Sequence, residues 1–131
     1  MALGRNAQAL REQERFAVTN LRELIDELIF AWRNADAQRA AMLFCEDGAY
    51  HEAGHQPIVG RERIAEHFAR FFRDGPAWRF EPDEFVVEGE RAAVRYRFFL
   101  KGEGSGWRER AGCAVVHRRA GSIELWREYH G

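Results

Sequence analysis

Between residues 21 and 72 the apolar positions recur at helical spacing; from Trp78 to the C-terminus they alternate. Leu21, Leu24, Ile25, Leu28 and Trp32 form one stripe, which predicts a helix running to about Asn34 with Thr19 or Asn20 as its cap. Residues 5–16 either extend this helix or fray from it. Asp36 can cap a short second helix over 37–44 that buries Leu43 and Phe44. A strand is expected over about 49–56. Gly60 then ends a turn, and Ile64, Phe68, Phe71 and Phe72 mark a third helix that stops at Asp74-Gly75-Pro76. The alternating half predicts strands at 78–88, 91–103, 107–119 and 122–130, broken at Glu88-Gly89-Glu90, Gly102 to Gly106 and Ala120-Gly121. Strands joined this closely pair antiparallel. The order helix, helix, strand, helix and then four strands implies an α+β layer with helices over one face of a curved sheet.

Composition narrows the class. The chain has 131 residues, 46% of them apolar and 13% aromatic, enough for one domain with a core of its own. A net charge of −1 gives no electrostatic reason to expect nucleic acid as a partner. Of 20 basic residues only Lys101 is lysine, a bias of the kind codon usage produces. Cys45 and Cys113 are too few for a disulfide framework and suit a reducing compartment. No apolar signal-peptide core appears in residues 1–15 and no stretch reaches membrane-spanning length, so a soluble cytoplasmic protein without membrane contact is expected.

The densest chemistry lies in His51-Glu52-Ala53-Gly54-His55, which spells the H-E-x-x-H pattern of zinc hydrolases. That pattern works only on a helix, where histidines four apart share a face. Gly48, Gly54 and Pro57 are punctuation rather than helix interior. On a strand the two histidines would stand about 13 Å apart at ~3.3 Å per residue, too far for one metal ion. The strand reading is preferred, with no metal or other cofactor; a zinc hydrolase remains the minor alternative.

Several local segments, in this order, are similar to one family. Ala31-Trp32-Arg33-Asn34-Ala35-Asp36 closes the first helix and Phe44-Cys45-Glu46-Asp47 precedes the first strand. Gly60 followed by Ile64 opens the third helix, and Gly121-Ser122-Ile123-Glu124-Leu125-Trp126-Arg127-Glu128-Tyr129 ends the chain. Over residues 18–131, leaving 1–17 as an N-terminal arm or helical extension, the chain resembles the nuclear transport factor 2-like superfamily and its SnoaL-like branch. The resemblance implies a cone-shaped α+β barrel, a strongly bent and mainly antiparallel sheet wrapped around three helices to leave a pocket. Chemistry in that superfamily includes ketosteroid isomerisation, epoxide hydrolysis and polyketide cyclisation, as well as binding without catalysis, so fold alone does not assign function. By resemblance Glu52 stands where ketosteroid isomerases keep a base. Tyr50, Arg95 and Glu128 stand where limonene-epoxide hydrolases keep a water-binding tyrosine, a central arginine and a base. Arg97 replaces the second aspartate of the latter, and Leu28 and Ala114 replace the oxyanion donors of the former.

Alternation places Tyr50 and Glu52 on one face of the first strand, and groups Arg95, Arg97 and Phe99, then Arg108 and Arg110, then Trp126, Glu128 and His130. Taking all of these as pocket-facing leaves Ala92, Val94, Tyr96, Phe98 and Leu100 on the outside. An apolar outer face calls for a second copy, hence a homodimer through the outer sheet face. Trp32 and Phe68 on the helices and Trp78 and Trp126 on the strands complete the core and pocket walls. His67 is placed toward solvent, and His130 at the pocket mouth. The resulting expectation is a small-molecule pocket in which Glu52 or Glu128 acts as base on an apolar oxygenated substrate and Arg95 and Arg97 stabilise negative charge. Such an enzyme would be a cofactor-independent isomerase, cyclase, dehydratase or hydrolase. The alternative is a non-catalytic ligand-binding or structural dimer in which the same charges form a satisfied ion network.

Overall fold

Asn20 opens the first helix: its side chain accepts the Glu23 N–H at 2.8 Å, filling one of the donors a helix start leaves unpaired. This helix, α1, spans Leu21–Arg33 and buries Leu21, Leu24, Ile25, Leu28 and Trp32 along one side. Asp36 caps α2, Ala37–Met42, in the same way through the Arg39 N–H. The computed structural model describes residues 20–104 and 106–130. The expected N-terminal arm, its helical form over 5–16 and the alternative cap Thr19 lie outside these residues.

Phe44 belongs to a strand and not to the second helix. Strand β1 spans Phe44–His51, where a strand over 49–56 was expected, because the Leu43 carbonyl accepts the Ile123 N–H at 2.8 Å and Phe44 pairs with Ile123 as soon as α2 ends. Gly48 permits this: a Cβ there would lie 2.9 Å from the Ile123 carbonyl oxygen. Gly54 adopts φ +78° in the following turn, a conformation glycine takes without strain, and the chain returns as β2, Ile58–Val59. The third helix, α3, spans Arg61–Asp74 and is tied down by Arg61, whose guanidinium donates twice to the Phe44 carbonyl at 2.8 and 3.1 Å.

The remaining strands are β3, Trp78–Glu88; β4, Arg91–Lys101; β5, Trp107–Arg119; and β6, Ser122–His130. They form one six-stranded sheet in the order β2-β1-β6-β5-β4-β3. Only β1 and β6 run parallel. Register shifts at Pro82/Glu84, His117/Arg118 and Phe44/Ala49 bend the strands, as bulges do, and curl the sheet around the helices. Among the described residues the α+β cone, with three helices in its concave side, is therefore present.

Which face of the sheet looks inward differs from expectation on β4. Ala92, Val94 and Tyr96 are buried beneath the helices, with Phe98 and Leu100 continuing the same face. Arg95, Arg97 and Phe99 point outward. The cause is energetic: an apolar stripe gains by covering the core, whereas buried arginines would each need a buried partner. Pairing of Phe98 with Arg110 puts β5's arginine on the inner face, opposite to Arg97. The apolar face that seemed to require a second copy is the core face of this chain.

Gly112 of β5 illustrates how tightly that face is filled. A Cβ at Gly112 would lie 2.6 Å from the Tyr96 ring and hydroxyl on the neighbouring strand. Gly112→Ala should displace Tyr96 and cost about 1–3 kcal/mol, as overpacking does. Urea unfolding of the variant measures it, and an unchanged midpoint would refute the contact.

Candidate active site

The helices do not fill the open end of the cone, and a cavity of about 240 Å³ remains. Aromatic and aliphatic side chains form most of its wall: Trp32 from α1, Phe68, Phe71 and Phe72 from α3, and Trp78, Phe80, Tyr96, Phe98 and Leu100 from β3 and β4. Phe72, Trp78 and Phe98 stack with ring centroids 5.9 and 6.1 Å apart. Polar groups gather on β1, β6 and α3: Tyr50, Glu52, His67, Glu128 and His130, with His55 and Arg110 beside them. A mostly apolar cavity with a few convergent polar groups is the usual form of a small-molecule site.

Parallel pairing of β1 with β6 creates the polar cluster. Tyr50 stands opposite Trp126 and His51 opposite Arg127, so one residue further Glu52 and Glu128 come side by side on the inner face. Glu128 accepts hydrogen bonds from the Trp126 indole at 3.0 Å and from the Tyr50 hydroxyl at 3.4 Å, both at Oε2. Glu52 accepts one from His67 Nε2 at 2.8 Å, at Oε1. Each carboxyl group thus has one oxygen hydrogen-bonded by the protein and one without a hydrogen bond among the described residues.

Their protonation is pushed apart. Burial raises the Glu128 carboxyl to about 7, and the nearby Glu52 charge adds to this against the two hydrogen bonds. Glu52 is held below the ordinary carboxylate value, chiefly by the His67 hydrogen bond and then by the histidine charges around it, against the opposing effect of burial. An ionised carboxylate only accepts, so the proton of that pair sits on His67 Nε2. Burial, reinforced by the two glutamates, raises Tyr50 well above its ordinary value and keeps it a phenol donor.

Of the residues singled out from the sequence, Tyr50, Glu52, Glu128, Arg110, Trp32, Phe68 and His130 meet at this cavity. Arg95, Arg97 and Phe99 do not. Arg95 binds Asp83 at 3.1 Å; Arg97 reaches Glu81 at 3.5 Å and Glu109 at 3.8 Å; Phe99 lies under the Arg79 guanidinium at 4.7 Å. All three sit on the outer face, so none can stabilise charge in the cavity. Trp126 is fully buried beneath the cavity and acts through its hydrogen bond to Glu128 rather than as a wall. His67, expected toward solvent, turns inward to Glu52. It lies three residues after buried Ile64 and four before Phe71, at the edge of the helix's apolar stripe, which was the available signal. The HEAGH segment is strand end and turn, and His51 Nε2 donates to the His55 carbonyl at 2.8 Å. Without a helix the two histidines share no face, and among the described residues no group of three or more histidine, cysteine or acidic side chains could hold a metal ion.

With the site described, comparison places the chain: it belongs to the SnoaL-like domain family, whose model matches residues 22–126. No curated protein matches it by sequence. Solved structures share the fold at low identity. A protein of ketosteroid isomerase-like fold from Catenulispora acidiphila, in complex with trimethylamine, is 19% identical with a TM-score of 0.72 over 82% of this chain and 84% of that one. The epoxide hydrolase/cyclase-like enzyme SalBIII, linked to pyran ring formation in the polyether salinomycin, is 17% identical with a TM-score of 0.72 over 84% and 89%. A limonene-epoxide-hydrolase-like enzyme of M. tuberculosis is 21% identical with a TM-score of 0.69 over 82% and 80%. No helix among the described residues is long and apolar enough to cross a membrane.

The two glutamates should give stability opposite pH dependences. Glu128 holds its proton more tightly folded than unfolded, so stability should fall as pH rises from 4.5 to about 7, by roughly 3 kcal/mol at most. Glu52 is lowered, so its contribution is present above 4.5 and is lost below that value. Denaturant midpoints between pH 4.5 and 8 should flatten in Glu128→Gln; an unchanged slope would place the raised group elsewhere.

Proposed function

We propose that this SnoaL-like domain is a cofactor-independent acid–base enzyme acting on a small, mostly apolar, oxygenated substrate. One observation carries the reading: two neighbouring carboxyl groups sit in opposite surroundings, Glu128 buried among neutral donors and Glu52 bonded to His67, and each has one oxygen without a hydrogen bond among the described residues. A pair separated in this way supplies a base and an acid at the same pH. Glu52, ionised and backed by His67, takes a proton from a carbon beside a carbonyl group or from a water molecule. Glu128, protonated below about 7 with its proton on Oε1, delivers it to the oxygen that develops negative charge or departs. Tyr50 and Trp126 hold Glu128 in place, and the aromatic wall excludes water and seats the apolar part of the substrate. Isomerisation, aldol cyclisation, dehydration and epoxide opening all use this exchange of protons. The activities named for the structurally similar cyclase and epoxide hydrolases fall in the same class, which supports the reading at the level of fold.

The competing reading is a pocket that binds without turnover. Proton abstraction can be tested without the natural substrate, by following deuterium uptake at the α-carbon of 2-tetralone in D2O by NMR. The wild-type protein should accelerate exchange, Glu52→Gln should reduce it by about 10²–10⁴-fold, and Glu128→Gln should remove the fall in rate above pH 7. Exchange no faster with wild type than with Glu52→Gln would favour binding alone.

A homodimer through the outer sheet face belongs to this proposal on different grounds from those of the sequence. That face exposes Val86, Trp107 and Tyr129, at 59%, 49% and 48%, around the smaller Ala93, Ala111 and Val115. Light scattering should give twice the mass of 15.2 kDa, and a monomer at micromolar concentration would remove the dimer. Both cysteines are unpaired, in keeping with a cytoplasmic, reducing setting.

A further inference from the structure

Glu52 and Glu128 occupy only one end of the cavity. Strand register gives the direction in which the rest extends. On the inner face, Glu128 pairs with Ala114, His130 with Gly112, and Phe98 with Arg110, so successive ranks run from the carboxyl pair along β5 to Arg110. At ~3.3 Å per residue, Ala114 and Arg110 are about 13 Å apart along the strand. The rank between them is floored by Gly112, which presents no side chain, with Tyr96 lying over it. Phe98 and Trp78, stacked on each other, flank the far end.

Arg110 is the one arginine or lysine lining this cavity among the described residues, and no carboxylate among them pairs with it. Its situation contrasts with that of Arg95, Arg97 and Arg119 on the outer face. Those three each meet an acidic side chain, whereas Arg110, also exposed, turns to the cavity. The carboxyl groups that share the cavity are already engaged: Glu52 by His67, and Glu128 by Tyr50 and Trp126. A guanidinium fork at the end of an aromatic trough is suited to a planar anion presented in the plane of a ring.

We infer that the substrate is a small aromatic acid whose carboxylate is held by Arg110 while its oxygen-bearing reacting carbon lies between Glu52 and Glu128. The position of the reacting carbon rests on the acid–base reading above; the recognition of the carboxylate by Arg110 does not. Size agrees: a dry cavity of about 150 Å³ accepts benzene, so about 240 Å³ takes a substituted ring or a fused pair. A phosphate dianion fits less well, since its second charge would be opposed by Glu52 in the same cavity.

Two probes of matching shape separate the carboxylate from the ring: 2-naphthoate and the neutral ketone 2-acetonaphthone, titrated calorimetrically at pH 6, where an ordinary carboxylic acid is ionised. Wild-type protein should bind the acid about tenfold or more tightly than the ketone. Arg110→Met should abolish that preference while leaving ketone affinity within about twofold, and Arg110→Lys should keep part of it, having charge without the fork. Equal affinity of wild type for both probes, a tighter ketone, equal losses for both in Arg110→Met, or no binding of either at millimolar concentration would each overturn the inference. The wild-type comparison decides even if a variant fails to fold. Glu52→Gln should leave the acid preference intact. Absent tetralone exchange with naphthoate still held through Arg110 would remove the enzyme reading alone, and exchange without acid preference would remove the ligand class alone.

Discussion

Two glutamates placed side by side in a partly dry cavity cannot both ionise at low cost, and most of what distinguishes this site follows from how that conflict is settled. The parallel pairing of β1 with β6 brings Glu52 and Glu128 together. The surroundings then treat them differently. His67 reaches Glu52 from α3 and stabilises its charge, while Glu128 receives only neutral donors and is deeper in the cavity. Three elements are therefore committed to the pair: the strand register, the seating of α3 through Arg61 on the Phe44 carbonyl, and the buried indole of Trp126.

The cavity is a consequence of curvature. Three bulged positions bend the sheet around the helices, and its inner face continues past them at the open end. At the closed end Leu24, Leu28, Ile64, Val94, Val116 and Trp126 fill the space. Toward the open end the lining changes to large rings with room between them, and an aromatic-walled cleft joins the acid–base pair at one end to Arg110 at the other. Ionic pairing on the outer face has little part in this. Arg95, Arg97 and Arg119 sit in half-exposed ion pairs that solvent screens, and none of them faces the cavity.

Some of the chain's apparent signals change meaning once the contacts are visible. The H-E-x-x-H string places one pocket carboxylate and a turn, and the glycines that break the helix pattern serve the sheet: Gly48 lets β1 lie against β6, and Gly54 reverses the chain. The arginines of β4 resemble a catalytic pair in linear order, yet they lie on the wrong face. His67 looked like a solvent-facing residue on an amphipathic helix, and it is the residue that holds Glu52 ionised.

The sequence by itself determined the order of the elements other than β2, though not where β1 begins, together with the antiparallel C-terminal strands and the shared faces of Tyr50 with Glu52 and of Trp126 with Glu128. These depend on local periodicity, caps and turn residues, which act over a few positions. Tertiary structure alone decided which face of β4 is inside, that His67 meets Glu52, and that Arg110 rather than Arg95 or Arg97 shares the cavity. Alternation separates two faces without saying which one meets the helices. That choice is made by the competition between burying Val94, Tyr96 and Phe98 and burying Arg95 and Arg97, and it is settled only when the whole sheet closes over its core.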